Sequence, residues 1–284
     1  MAINRRSFLT TVGGTAGALL TGCALPCRRK EGVRTALQLY SIHKIFWKEP
    51  ARCLAELRAA GYDGVEFAGY AGHSAAEIRA LLADHALAGA GTHVNGNVDL
   101  VGDNLKRTLD FCAAAGIESV TTPHAKKDSA DDYRRFGEAM GRAAEAARVY
   151  GIAVGIHSTY HHFTTVYDGV TAWDLMFANA SPLLQQQVDT GNTFHTGTDV
   201  VQLLKKYPNR HHSIHLKEND PTTDAVFGSR PTDGGACVPF ADIVRHMRGE
   251  TGHKWWIVEA ERVPDSLEPA KRCRQILAGW TAEA

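Results

Sequence analysis

The sequence predicts a single (β/α)8 barrel, and three observations favour that fold class. Between residues 33 and 280, short apolar segments of strand length alternate eight times with segments of helix length. This stretch covers roughly 250 residues, which is typical of a closed barrel of eight such units. An open, doubly wound sheet would normally carry a glycine-rich turn after its first strand, whereas residues 38–43 contain no glycine.

The individual elements follow from hydrophobic periodicity and from the residues that end each helix. The predicted strands span residues 33–39, 64–67, 88–94, 117–122, 152–157, 184–189, 213–217 and 255–259. The predicted helices span residues 50–60, 74–85, 100–115, 130–150, 170–178, 200–206, 240–250 and 267–280. Ser74 predicts a helix N-cap, and Gly61, Gly116 and Gly151 predict the C-terminal ends of three helices.

The composition of the 284 residues is that of a globular protein and argues against two classes of function. Lys plus Arg and Asp plus Glu both total 31, so the chain lacks the basic excess typical of nucleic-acid binding. No run of 18 apolar residues occurs, so no membrane-spanning helix is predicted. The 14 histidines point instead to metal binding or proton transfer, since His commonly serves both roles.

The first 30 residues resemble a bacterial export signal, and the barrel is predicted to occupy residues 31–284. Arg5 and Arg6 precede a mildly apolar stretch at residues 8–20, as in a twin-arginine signal peptide. Residues 20–23 (LTGC) resemble a lipobox, in which Cys23 would carry a lipid and attach the protein to a membrane. The alternative is a soluble protein cleaved near the same position. We therefore expect recognition by the twin-arginine export machinery and a location in the periplasm or, as a lipoprotein, in the cell envelope.

Polar residues stand at the C-terminal ends of all eight predicted strands, where such barrels carry their active sites. In strand order these residues are Gln38, Glu66, His93, His124, His157, Asp189, His215 and Glu259. Polar groups buried at the barrel mouth cost free energy unless a ligand, a metal or one another satisfies them. The pattern therefore predicts an active site at this end of the barrel.

Six motifs make the chain resemble the sugar phosphate isomerase/epimerase family, the xylose-isomerase-like barrels. They are residues 38–41 (QLYS), 61–66 (GYDGVE), 151–157 (GIAVGIH), 188–192 (VDTGN), 215–218 (HLKE) and 256–259 (WIVE). The resemblance spans residues 33–281 and implies one divalent ion, often manganese, held at the ends of strands five to eight. The ligands that it implies are His157, Asp189, His215 and Glu259.

The chemistry of these four side chains agrees with that implication. Two imidazoles and two carboxylates form a mixed nitrogen and oxygen site suited to Mn²⁺, Zn²⁺, Fe²⁺ or Co²⁺. Such an ion would stabilise the enediolate that forms when a proton is taken from the carbon next to a carbonyl. The same intermediate leads to epimerisation, to isomerisation or to elimination of a β-substituent.

One ligand position departs from the ketose epimerases of this fold, in which the residues of strands five and eight are both glutamates. His157 occupies the strand-five position here, so a symmetric pair of carboxylate bases is less secure. Glu259 as base, with His93 or Lys217 as acid, would suit elimination as well, and Lys217 could also bind a substrate oxygen. His161, in the loop after strand five, is an alternative ligand, in which case His157 would support the ligands without touching the ion.

Further residues are predicted to contact the substrate from the barrel rim and the first loop. Glu66 and His124 either touch the substrate or form structural hydrogen bonds at the rim. Trp47, in the loop after the first strand, is placed to stack on a sugar ring, with loop packing as the alternative. His211 and His212 precede strand seven at the opposite end of the barrel and are expected to face solvent.

The leading hypothesis is a metal-dependent sugar isomerase or epimerase that removes a proton next to a carbonyl. The first alternative is a lyase or dehydratase that acts on a 3-keto-glycoside or a cyclitol through the same intermediate. The second is a non-catalytic sugar-binding lipoprotein. An endonuclease acting at abasic DNA shares this barrel but would need several ions and a basic DNA track, against which the neutral charge argues.

Overall fold

The computed structural model describes residues 33–123, 125–218, 226–228 and 237–282. The predicted export signal with Cys23 and the predicted substrate contact His124 lie outside these residues.

Eight parallel strands, within the described residues, form the central sheet. They are β1 (Arg34–Gln38), β2 (Gly64–Phe67), β3 (Ala88–His93), β4 (Ser119–Thr122), β5 (Ala153–His157), β6 (Gln185–Gln187), β7 (Ser213–Lys217) and β8 (Trp255–Glu259). Their spatial order is β6-β5-β4-β3-β2-β1-β8-β7. The two outer strands meet through an isolated bridge between Asp189 and His215 and a 3.0 Å hydrogen bond from the His215 amide to the Val188 carbonyl. The ring is thereby nearly closed, which confirms the predicted (β/α)8 barrel.

Helices follow the strands along the chain. They are α1 (Pro50–Ala59), α2 (Ala75–Asp84), α3 (Gly102–Ala115), α4 (Ala130–Ala147), α5 (His161–Thr164), α6 (Ala172–Phe177), α7 (Thr190–Phe194), α8 (Val200–Lys206), α9 (Phe240–Met247) and α10 (Glu268–Ala282). Ser74 and Glu77 form a reciprocal capping box at the start of α2, as the sequence predicts. Gly116, at φ 77°, ends α3 in the left-handed conformation that glycine adopts without strain. None of the described helices has both the length and the apolar character needed to cross a membrane.

The sixth strand is shorter than the sequence predicts, because a side chain at its end starts a helix. Asp189 Oδ1 accepts a 2.7 Å hydrogen bond from the Asn192 amide and so caps α7. The chain therefore leaves the sheet after Gln187, two residues earlier than the apolar pattern indicates. Helix α7 was not predicted, since only five residues form it and they carry no helical periodicity.

The barrel interior beneath the C-terminal ends is filled by a small apolar cluster of Ala36, Ala90, Trp255 and Ile257. Side chains two residues apart on a strand share a face, so Trp255 and Ile257 lie on the same face as Glu259. Gly64 leaves room for the large indole, because a Cβ at that position would lie 2.8 Å from the Trp255 ring. A packed apolar layer thus supports the polar mouth of the barrel.

The expectation that His211 and His212 face solvent is wrong. His211 is only 1% exposed, and its Nε2 bonds to the Leu204 carbonyl at 3.2 Å. The segment before β7 packs against α8, which covers the ring. His212 is partly buried, and its amide donates to the Gln185 side chain at 3.1 Å.

Candidate metal centre

Four predicted ligands meet where the last strands of the barrel end. One ligand atom from each of His157, Asp189, His215 and Glu259 lies within 4.8 Å of the others, and all four residues are buried. His157 and Glu259 are the last residues of β5 and β8. Asp189 and His215 are paired across the bridge that closes the barrel, so barrel closure itself brings them together.

Gln187 fixes the ring of His157. The Gln187 Oε1 atom accepts a 3.1 Å hydrogen bond from His157 Nδ1, which leaves Nε2 as the unprotonated nitrogen. That Nε2 lies 3.7 Å from Asp189 Oδ2. Burial, together with the charge of His215, holds the pKa of His157 well below its usual range. His157 is therefore a neutral imidazole whose lone pair faces the carboxylate of Asp189.

Glu66 fixes the ring of His215 in the same way. His215 Nε2 donates to Glu66 Oε2 at 2.7 Å, and its Nδ1 lies 2.7 Å from Glu259 Oε2. Burial opposes a charge on this ring, but the carboxylates of Glu66 and Glu259 outweigh burial and raise its pKa to about 10. A cation held by Nδ1 would replace the proton on that nitrogen, while Glu66 would keep Nε2–H in place.

The surroundings of the Asp189 carboxylate show whether these four residues suit a cation. Its Oδ2 is buried and has no hydrogen-bond partner, although an unpaired buried carboxylate oxygen costs free energy. Burial, only partly offset by the positive charge of Lys217, raises the Asp189 pKa to about 7. A divalent ion would satisfy this oxygen together with the lone pair of His157. The two imidazoles and two carboxylates therefore fit a transition-metal ion.

Lys217 is the positive charge beside this quartet. Its Nζ lies 3.1 Å from Glu259 Oε1, 2.8 Å from Glu261 Oε1 and 4.0 Å from Asp189 Oδ2. Burial favours the neutral amine, but the three carboxylates outweigh burial and raise the Lys217 pKa, so the group remains an ammonium. Burial likewise opposes ionisation of Glu259, but the charges of Lys217 and His215 keep its pKa well below the usual range.

Glu66 is fully buried and bonds to three side chains around it. Its Oε2 accepts from Gln38 Nε2 at 2.6 Å and from His215 Nε2, while its Oε1 accepts from Gln187 Nε2 at 2.7 Å. A Cβ at Gly91 would lie 2.9 Å from Glu66 Oε1, so glycine leaves room for this carboxylate. These bonds hold the Glu66 carboxylate against the His215 ring.

A cavity of about 900 Å³ opens above the quartet. Four of the residues that line it are His93, His157, Glu259 and Glu261. His93 Nε2 donates to Gln187 Oε1 at 2.7 Å, and burial lowers the pKa of His93. His93 is therefore a neutral imidazole at the cavity wall.

Two residues predicted to contact ligands lie away from this cavity. Trp47 stacks on His73 with ring centres 5.0 Å apart and also packs on Phe67, outside the residues that line the cavity. His161 bonds through Nδ1 to Thr159 Oγ1 at 2.9 Å and does not belong to the groups of possible metal ligands found among the described residues.

Sequence reasoning missed Gln187 and Glu261. Gln187 bonds to His93, His157 and Glu66, and it also donates to Ser213 Oγ at 2.9 Å. A signal was present, since three consecutive glutamines form β6, an unusual composition for a buried strand. Glu261 follows β8 by two residues and pairs with Lys217. No pattern in the sequence indicates this ion pair, because it depends on the position of Lys217 on β7.

Comparison with known proteins places these residues in a family context. A family model described as "Xylose isomerase-like TIM barrel" matches residues 54–282. The rhizopine catabolism protein MocC of Rhizobium meliloti is 23% identical over 273 residues, which cover 82% of each chain. An inosose dehydratase of Geobacillus kaustophilus is 28% identical over 152 residues, which cover 49% of this chain and 48% of that protein.

Solved structures show the same fold. A sugar phosphate isomerase/epimerase from Parabacteroides distasonis superposes with a TM-score of 0.73 at 23% identity, covering 87% of this chain and 98% of that one. A structure described as IolI protein with a bound zinc atom superposes with a TM-score of 0.62 at 12% identity, covering 88% of this chain and 97% of that one. At these identities the likeness establishes the fold alone.

Proposed function

Because the chain belongs to the xylose isomerase-like TIM barrel family, we propose that it is a divalent-metal-dependent enzyme that acts on a sugar or cyclitol. Its first step is removal of a proton from the carbon next to a carbonyl. The observation that carries this proposal is the convergence of four buried ligand groups, among them Asp189, whose Oδ2 has no hydrogen-bond partner.

Each residue around the cavity has a separate role in the proposed reaction. A divalent ion held by the quartet would act as a Lewis acid that polarises the substrate carbonyl. Glu259 is ionised and lines the cavity, so it is placed to accept the proton. Lys217 provides a fixed positive charge next to Glu259, and this charge helps to keep the buried carboxylate ionised. Gln187 and Glu66 hold the two imidazoles in the orientation that metal binding needs.

Elimination of a β-substituent fits this arrangement best. Two-base epimerisation needs a carboxylate on each face of the sugar, whereas the strand-five position here holds the neutral His157. Glu259 as base, with the Lys217 ammonium beside it, supports loss of water or of an alcohol. The resemblance to proteins named inosose dehydratase supports the same choice.

Isomerisation or epimerisation is the second candidate. His93 is a neutral imidazole on the cavity wall, so it could return a proton to a different face or carbon than the one Glu259 serves. The resemblance to a sugar phosphate isomerase/epimerase is consistent with this outcome.

We propose a transition-metal ion for the site, with Mn²⁺ first and Zn²⁺, Fe²⁺ or Co²⁺ as alternatives. Two imidazole nitrogens among four ligands suit each of these ions. The zinc bound in the IolI structure is consistent with that range. Metal analysis of the protein purified without chelator is expected to give about one ion per chain, and His215→Ala is expected to lose it. An absence of metal in the wild type, even after incubation with Mn²⁺, would overturn the proposal.

Hydrogen exchange separates the possible reactions. Ketoses, inososes and 3-keto-glycosides are incubated with metal-loaded protein in D₂O and followed by NMR. Deuterium at the carbon next to the carbonyl reports the shared first step. An unsaturated ketone together with released water or alcohol reports elimination, whereas a deuterated stereoisomer reports epimerisation. Substrate turnover without any deuterium exchange or elimination would contradict the proposed first step.

We also propose that the protein is exported, since Arg5 and Arg6 precede a mildly apolar stretch. Replacing both arginines by lysine is expected to retain the protein in the cytoplasm. Lipid attachment is tested separately by Cys23→Ser, which should release the protein from the membrane fraction. Unchanged fractionation of the double lysine variant would refute export by the twin-arginine route.

A further inference from the structure

The cavity extends well beyond the quartet. One wall holds His93, His157 and Glu259, and the far wall is formed by residues of α3 and of the loop after β2. The volume of about 900 Å³ lies near the upper end of the range of roughly 300–1,000 Å³ over which pockets bury drug-sized ligands. A free monosaccharide is smaller than such ligands and would occupy only the part of the cavity next to the quartet.

The far wall has an aromatic surface. Tyr70 and Phe111 line the cavity with ring centres 4.5 Å apart. The Tyr70 hydroxyl lies 3.9 Å from Cys112 Sγ, another lining residue. Two adjacent aromatic rings form an apolar platform on which a sugar or aryl ring can pack. The proposed proton transfer at Glu259 makes no use of this platform.

Arg107 lies at the rim of the same far wall. Its guanidinium donates to Asn104 Oδ1, and within the described part of the chain it forms no ion pair. A guanidinium carries five N–H donors, so several remain for oxygen atoms of a ligand. An aromatic platform with such donors beside it suits a second ring that bears oxygen substituents.

We infer that the substrate is a 3-keto-glycoside, a sugar that has a ketone at C3 and carries a second unit at C1, and that this unit binds against Tyr70, Phe111 and Arg107. The inference rests on the proposed function, since it places the reacting ring beside Glu259. The second unit then leaves as an alcohol. Glu259 takes the proton next to the ketone, the electron pair of that C–H bond forms the new C=C bond, and the C–O bond to the second unit breaks. The departing oxygen takes up the proton that Glu259 removed, so atoms and charge balance, while the Lys217 ammonium stays beside Glu259.

The test compares ligands that share one ring. The metal-loaded full chain is titrated by calorimetry with 4-nitrophenyl β-D-glucoside and with D-glucose, and with the corresponding galactose pair. At least one glycoside is expected to bind roughly tenfold more tightly than its free sugar, which corresponds to about 1.4 kcal/mol. Free sugars that bind as tightly as their glycosides, or glycosides that do not bind at all, would overturn the inference.

Variants of α3 test whether the tighter binding of the glycoside depends on the aromatic platform. Phe111→Ala is expected to reduce the ratio of the two affinities by roughly three- to tenfold. Leu105→Ala removes a half-buried apolar side chain from the same helix, outside the cavity, and should leave the ratio unchanged. An unchanged ratio in Phe111→Ala would overturn the inference.

A second pair of variants keeps the test valid if Phe111→Ala fails to fold. Arg107→Ala changes an exposed residue at the rim and should also lower the ratio, whereas Lys106→Ala, which removes the exposed partner of Asp110, should not. Equal ratios in the two variants would count against a role for Arg107 in the second-unit site.

Turnover by the metal-bound protein and glycoside binding after removal of the metal distinguish this inference from the proposed function. Protein that binds metal and turns over free monosaccharides as efficiently as glycosides keeps the proposed function and contradicts the second-unit site. Protein that turns over no sugar, but still shows glycoside binding that depends on Phe111 after treatment with EDTA, keeps the second-unit site and contradicts the proposed function.

Discussion

The two carboxylate oxygens of Asp189 have different surroundings in the candidate metal centre. Its Oδ1 caps α7, and its unpartnered Oδ2 faces His157. Asp189→Asn keeps an oxygen that can cap the helix but removes the negative charge. We expect the variant to remain folded and to bind Mn²⁺ or Zn²⁺ at least about a hundredfold more weakly, measured as metal retained during dialysis.

Asp199 offers a matched control for this substitution. It caps α8 by accepting from the Gln202 amide at 3.0 Å and does not belong to the metal-ligating groups of the described residues. Asp199→Asn should therefore leave the metal content unchanged. Full metal content in Asp189→Asn would show that the quartet is not the binding site.

Glu259→Gln tests the proton acceptor. Glutamine fills the same space but cannot accept the proton, so deuterium exchange should fall roughly 100- to 10,000-fold while the thermal unfolding midpoint changes little. Lys217 would keep Glu261 as a partner at 2.8 Å, which limits the structural damage. Exchange at the wild-type rate would exclude Glu259 as the base, and Glu261→Gln is the control for a general loss of negative charge.

The residue scale also shows what sequence patterns can and cannot supply. The convergence of His157, Asp189, His215 and Glu259 was predictable, because strand ends of a barrel meet and each of the four stands at such an end. The choice between a contact with substrate and a supporting role for Glu66 was not predictable, since it depends on the distances to Gln38, Gln187 and His215. Spacing along one strand carries no information about partners on three others.

At the scale of elements, the close approach of β2, β3 and β4 fixes the position of Glu66. Gly91 of β3 lies against Glu66 of β2 and Ser119 of β4, and an added Cβ would come within 2.9 Å of Glu66 Oε1 and 2.5 Å of Ser119 Oγ. Gly91→Ala should therefore destabilise the fold by about 1–3 kcal/mol and weaken metal binding through the displaced Glu66. Urea unfolding and metal titration measure the two effects.

Gly279 is the matched control in a helix. It lies within α10, and a Cβ there meets no atom within 4 Å. Gly279→Ala should stabilise the protein by roughly 0.5–1 kcal/mol, because alanine has the higher helix propensity. If both alanine variants were equally stable, close packing at Gly91 would not be the cause of its effect.

Element boundaries follow the sequence wherever a local signal ends the element. The capping box places the start of α2, and Gly116 places the end of α3. The short elements between β5 and β7 were not predictable in this way. Helix α5 and the hairpin of Val166–Tyr167 and Val170–Thr171 contain too few residues to show a period, and they are stabilised by contacts with α6.

For the whole barrel, the two ends differ in the charge of their buried groups: one end holds ionised side chains and the other holds neutral histidines. The C-terminal end concentrates carboxylates, charged His215 and Lys217 around one centre. The other end buries His211 and His253, and His253 Nδ1 bonds to the His211 carbonyl at 3.1 Å. Burial lowers the pKa of His253 to about 3 and that of the nearby His212 to about 4.

These lowered values predict that acid weakens the fold. In the unfolded chain a histidine titrates near about 6.5, so between that value and the folded pKa the unfolded state binds more protons. The free energy of unfolding therefore falls as pH decreases from about 6.5, by about 2 kcal/mol per residue at pH 5. Urea unfolding at pH 7 and pH 5 measures this loss. His253→Gln cannot take up the proton, so its stability should depend less on pH than that of the wild type. Equal pH dependence in the wild type and His253→Gln would show that the buried end of the barrel is not the acid-sensitive part.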